Sequence, residues 1–85
     1  MPYISKELRV KYDQVLDNMP DIDTKGDLEY CIFKIMKRFM KTREQRYSTL
    51  HDVVYAVMHS SEEYRRRYLD KREDVAMETN GDIEV

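Results

Sequence analysis

From Thr24 to Met40 the chain reads TKGDLEYCIFKIMKRFM, and Leu28, Cys31, Ile32, Ile35, Met36, Phe39 and Met40 recur at the i, i+3, i+4, i+7 spacing of one helix face. A stripe of that width has to be covered by other apolar groups. The spacing therefore predicts a helix over 24–40, about 25 Å long, at the centre of a helical core. Thr24 stands at its N-cap with Asp27 three residues on, a weak capping box. Asp23 and Asp27 add negative charge at the positive end of the helix dipole. Gly26, in the first turn, costs about 0.5–1 kcal/mol relative to Ala and suggests a neighbour that approaches closely.

Upstream, Ser5 caps a shorter helix running to about Asn18, with Leu8, Tyr12, Val15 and Leu16 as its stripe and Met19 at its edge. Pro20 ends it, and DNMPDID reads as a connection. So narrow an apolar face is expected to dock on something larger. Downstream, residues 41–48 are polar and break the pattern. Ser48 or Thr49 caps a third helix, Thr49 with Asp52 making the better box, and Leu50, Val53, Val54, Val57, Ser61, Tyr64 and Tyr68 follow one face. The VVYAV segment alone would suit a strand. The helical period continues through MHSSEEYRRRYL, with Glu62–Arg66 and Glu63–Arg67 at i,i+4, and this favours a helix. Beyond Leu69, DKREDVAMET either continues that helix or starts a short fourth one. Asn80-Gly81 suits a C-cap or turn, followed by a tail in which Ile83 and Val85 could lie across a core or a neighbouring subunit. The expected fold is all-α: a small bundle of three main helices with a possible short fourth, a single domain over 1–79 and a tail over 80–85.

Size sharpens this picture. Eighty-five residues support one core, with an expected radius of gyration of about 12 Å. Domains this small are often marginal alone. One cysteine forms no internal disulfide, and with two histidines it is too little for a recognisable zinc site. Self-association is the remedy left open. No targeting run is visible at the start, and the longest apolar run is interrupted by Lys34 and Lys37, so a reduced cytoplasmic protein with no membrane span is expected.

Charge is nearly balanced, at a net -2, yet it is segregated. Asp13, Asp17, Asp21, Asp23, Asp27 and Glu29 precede a basic run of Lys34, Lys37, Arg38, Lys41, Arg43 and Arg46, and a second basic run follows in Arg65, Arg66, Arg67, Lys71 and Arg72. Segregated charge suits docking between subunits or segments, and equally suits ordinary solvated helix faces. Lys34, Lys37, Arg38 and Lys41 could track a phosphate backbone. The acidic stretches oppose this, as does the apolar N-terminal half of the third helix, so nucleic acid ranks behind other partners.

No catalytic constellation is legible. His51 and His59 lie about 12 Å apart along a helix, too far to share a metal. Cys31 sits in the apolar stripe as a small hydrophobe. The carboxylates around Asp21–Glu29 do not match a calcium loop, so no metal or cofactor is expected. The best candidate surface joins tyrosine to arginine: Tyr64 and Tyr68 flank Arg65, Arg66 and Arg67, with Tyr30 and Asp27 as further candidates. Such a cluster could hold a small anionic ligand, a nucleotide or a partner's acidic segment. The alternative is that the tyrosines pack at the core edge while the arginines pair with Glu62 and Glu63.

The start MPYI, the segment TKGDLEYCI, the pattern EEYRRRYLDKRED and the closing NGDIEV together resemble a family of small conserved proteins of unknown function from bacteriophages and bacteria. The resemblance covers nearly the whole chain, through Thr24–Leu28, Tyr30–Ile32, Tyr47, Glu63–Arg66 and Asn80–Asp82. Glu29 replaces an expected asparagine, and Lys71-Arg72 replace an expected proline-tyrosine. The resemblance implies a phage or prophage origin, hence the host cytoplasm, and supplies no enzyme assignment. The expectation is a non-enzymatic helical interaction protein that binds itself or another protein, with a small anionic-ligand module and a nucleic-acid binder as alternatives.

Overall fold

A computed structural model describes residues 2–84; Met1 and Val85, and the part of the tail expectation that rests on Val85, lie outside the described residues. The fold is all-α, with helices α1 (Lys6–Leu16), α2 (Lys25–Met40), α3 (Tyr47–Tyr64) and α4 (Asp70–Asn80). A single π-helical segment, Arg65–Leu69, joins α3 to α4 without a break, and the Asp70 N–H donates to the Arg65 carbonyl five residues back. The expected fourth helix is thus the continuation of the third. At 1.5 Å per residue the rod from Tyr47 to Asn80 is about 50 Å long, which accounts for the 50 Å long axis of the molecule.

Local chemistry sets most of the boundaries. Thr24 Oγ1 accepts from the Asp27 N–H at 3.0 Å, and the Thr24 N–H donates to the Asp27 carboxylate at 3.3 Å, so the capping box forms. At the other end of α2, the Arg43 guanidinium lies 3.7 Å from the centre of the Phe39 ring and donates to the Phe39 carbonyl. It satisfies a carbonyl that the helix leaves without a partner. Helix α3 starts earlier than Ser48 or Thr49. Arg46 is its N-cap, and Thr49 is the third residue in, its hydroxyl accepting from the Arg46 N–H at 3.1 Å. Thr49 therefore caps from inside the helix. Gly81 ends α4 at φ +90°, its N–H donating to the Met77 carbonyl at 2.9 Å, as Asn80-Gly81 predicts. Gly26 has no tight neighbour: an added Cβ would meet only Thr24 Oγ1, at 3.8 Å. The expected close approach is absent.

Helices α2 and α3 form the only inter-helix packing among the described residues apart from the rod's own joints. Cys31, Ile32, Met36, Phe39 and Met40 of α2 are half-buried, as are Thr49 and Val57 of α3, and Val53 is buried. Much of the expected burial does not occur. Leu28 and Ile35 fall off the covered side of α2, and Leu50, Val54, Ser61, Tyr64 and Tyr68 are exposed on the rod. The covered line of α3 runs through Thr49, Val53 and Val57, so the apolar set is wider than one partner helix covers. Helix α1 packs against no other helix, and Leu8, Tyr12, Val15 and Leu16 are exposed. The expected docking of this helix is not met within the chain. The radius of gyration is 16.9 Å, against about 12 Å for a compact chain of this length.

Candidate functional site

The tyrosine–arginine region forms around the joint of the rod. Tyr3, in the segment before α1, crosses to the end of α3 and donates its hydroxyl to Glu63 Oε1 at 2.7 Å. Glu63 is the half-buried residue of this stretch. It also receives Arg66 through Nε at 3.2 Å and Nη2 at 2.5 Å, and Arg67 through Nε at 3.3 Å. The Arg67 guanidinium lies 5.4 Å from the centre of the Tyr3 ring. The start of the chain and the EEYRRRY motif, far apart in sequence, therefore meet at one carboxylate. Hydrogen bonds from Arg66 and Tyr3, with the nearby Arg66 charge and the Arg67 hydrogen bond, hold the Glu63 carboxyl down at about 2, and Glu63 in turn raises the pKa of Arg66.

The arginines do not act as one cluster. Arg65 turns away to Asp70, at 3.3 Å. Arg66 and Arg67, with Tyr68 and Lys71, line an open cleft of about 260 Å³ with no acidic side chain in its lining. The expected Glu62–Arg66 pair is replaced by Glu63–Arg66. The Tyr68 ring packs on Tyr64, with centroids 4.6 Å apart, and Tyr64 lies outside the cleft. Tyr30 is exposed on α2 away from the cleft, and Asp27 is the carboxylate of the α2 capping box. Lys34, Lys37, Arg38 and Lys41 are exposed and enter no ion pair among the described residues.

A second feature was not anticipated. Tyr47, His51, Tyr55 and His59 form a ladder of rings along α3, with centroids 5.9, 4.0 and 6.2 Å apart and the His51–Tyr55 pair stacked at 22°. Beside it Leu50, Val54 and Met58 are each 44% exposed, so the outer face of α3 is apolar and aromatic over most of its length. Its signal in the sequence is Tyr or His at every fourth position from Tyr47 to His59.

The fold and these surfaces define a small all-α protein whose helices expose broad apolar and charged faces, with no helix among the described residues long and apolar enough to cross a membrane. The chain belongs to a family described as a domain of unknown function (DUF6899), whose model matches residues 1–83. No curated protein and no solved structure matches it.

Proposed function

We propose that this protein is a self-associating helical interaction module, which works by binding rather than catalysis, and whose exposed faces close on a second copy of the same chain. The observation that carries this reading is the amount of surface left open. The chain exposes 8319 Å², whereas a compact monomer of its 10.3 kDa mass exposes about 5,400 Å². An excess approaching about 3,000 Å² per chain, about 6,000 Å² over two copies, matches the upper end of what obligate homodimers bury in total. Its composition fits the same purpose: the α1 stripe of Leu8, Tyr12, Val15 and Leu16 and the α3 face of Leu50, Val54 and Met58 are both uncovered. Charge favours a second copy over an unrelated protein, because the chain carries both halves of a complementary pair. Asp13, Asp17, Asp21 and Asp23 are unpaired acids, and Lys34, Lys37, Arg38 and Lys41 are unpaired bases, among the described residues.

Native mass spectrometry with sedimentation velocity across a concentration series tests the reading. The expected result is a discrete multiple of 10.3 kDa. A monomer at every concentration would overturn it.

A further inference from the structure

We propose that the cleft lined by Arg66, Arg67, Tyr68 and Lys71 is a binding site for the phosphate groups of a small ligand, a diphosphate or its ester. This site is separate from the apolar faces assigned to a second copy. Three of its four lining side chains are cationic and none is acidic. Three properties of the rod make it more than a run of surface charge.

The first is placement. The π-helical segment inserts an extra residue into the helix, and single π turns of this kind recur at functional sites. Here it carries Arg66, Arg67 and Tyr68 of the cleft, and Lys71 follows in the first turn of α4. The second is fixation. Arg66 holds Glu63 through Nε and one terminal nitrogen, and Arg67 holds it through Nε alone. Tyr3 anchors the same carboxylate from the N-terminal segment. Both guanidinium groups are thus held at one edge while their remaining N–H donors stay free. An arginine already oriented loses less freedom on binding. The third is unspent charge. Glu63 offsets one cation, and Lys71 has no ion-pair partner among the described residues.

The chemistry of the ligand follows from the donors. Two guanidinium forks and an ammonium from about one turn offer more donors than a single carboxylate can accept, whereas a diphosphate presents several oxygens on adjacent phosphorus centres. The volume, about 260 Å³, leaves room beyond one phosphate, and the Tyr68 ring supplies a wall for an organic group of an ester.

Calorimetric titration with inorganic pyrophosphate, and separately with ADP, tests the proposal on the full chain. Three proteins are compared: wild type, Lys71→Gln and Lys6→Gln, the last at an exposed α1 position with no ion pair among the described residues and no place in either proposed surface. Both substitutions remove one positive charge from an exposed helical position without breaking an ion pair, so both should fold, and circular dichroism checks this. Lys71→Gln is expected to weaken pyrophosphate binding about tenfold, as loss of one charged hydrogen bond implies, and Lys6→Gln to change it less than about twofold. Tighter binding of ADP than pyrophosphate, again lost in Lys71→Gln, supports an ester as the ligand. No binding of either compound by the wild type overturns the proposal, as does equal weakening by the two substitutions, which marks diffuse attraction to net charge. If Lys71→Gln lowers the oligomeric mass and leaves pyrophosphate affinity unchanged, the cleft belongs to a second copy's carboxylates and the proposal fails. Self-association is read from the mass alone, so either conclusion can fail without the other.

Discussion

Glu63 is the residue on which the N-terminal segment and the joint of the α3–α4 rod converge. Its carboxylate takes hydrogen bonds from Tyr3, Arg66 and Arg67, and these donors favour the ionised form. Its folded pKa of about 2 lies below the ordinary value of 4.5. A depressed carboxylate pKa stabilises the fold above the unfolded value and ceases to do so as pH falls through the folded one. The attachment of the N-terminal segment is therefore expected to be complete above about pH 5 and to be lost on acidification from 4.5 towards 2. A carboxyl-carbon NMR titration of Glu63 checks this, and a midpoint near 4.5 would mean that Tyr3 and the arginines do not hold it in solution. Tyr3→Phe removes one of the donors and should move that midpoint upward while leaving the helices intact. Val53 is the opposite kind of residue. It is 7% exposed and has no polar role. Val53→Ala removes buried apolar volume from the one place where α2 and α3 close, and should cost about 2 kcal/mol in a urea denaturation series.

At the scale of the elements, α2 offers the clearest test, because its start is set by local chemistry alone. The Thr24–Asp27 box satisfies backbone groups that the first turn leaves open, so Thr24→Ala should destabilise by about 1 kcal/mol. Gly26 should respond in the other direction. Its position is helical and an added Cβ makes only ordinary contact with Thr24 Oγ1, so Gly26→Ala should stabilise by up to about 1 kcal/mol, read as a rise in the urea midpoint. Destabilisation would mean that a neighbour absent from the monomer approaches there. These elements also show what sequence can carry. The box, the α2 period and the Gly81 stop were legible because each depends on residues within one or two turns. The burial pattern was not. Periodicity shows that Leu28, Ile35, Leu50 and Val54 are apolar, but not whether the chain holds enough partner surface to cover them. The N-cap of α3 was missed because Thr49 bonds back to Arg46 from inside the helix, a geometry that the usual capping residues do not suggest. The π segment had no sequence signal that separates it from an α-helix. In the candidate site, Arg66, Arg67 and Tyr68 were foreseen. Lys71 was read as a departure from relatives, and the Tyr3–Glu63 contact depended on a long-range fold that the pattern could not supply.

For the whole molecule the decisive fact is that apolar surface and unpaired charge are both left open, on faces that one chain cannot bring together. Helix α2 covers only the α3 part of a rod about twice its own length, and α1 lies on no other helix. If these faces close on a second copy, folding and assembly are linked, and the stability of the protein depends on its concentration. The thermal midpoint should then rise as protein is added, whereas an independent monomer gives one value throughout. Val54→Asp separates the two cases further. Val54 is 44% exposed on the outer face of α3, where a carboxylate in a monomer would stay hydrated and alter stability by no more than about 0.5 kcal/mol. Buried against a second copy, the same carboxylate would have to be desolvated without a partner, a penalty of several kcal/mol. Val54→Asp should therefore shift the sedimentation profile to the 10.3 kDa monomer and abolish the concentration dependence of the midpoint. Raising salt gives an independent reading of the charged half of the interface. If Asp13–Asp23 of one copy meet Lys34–Lys41 of the other, association weakens between low and high ionic strength as those exposed charges are screened, while the apolar contribution persists. An association that tightens with salt would leave the apolar faces as the whole of the contact and remove the acidic and basic runs from it.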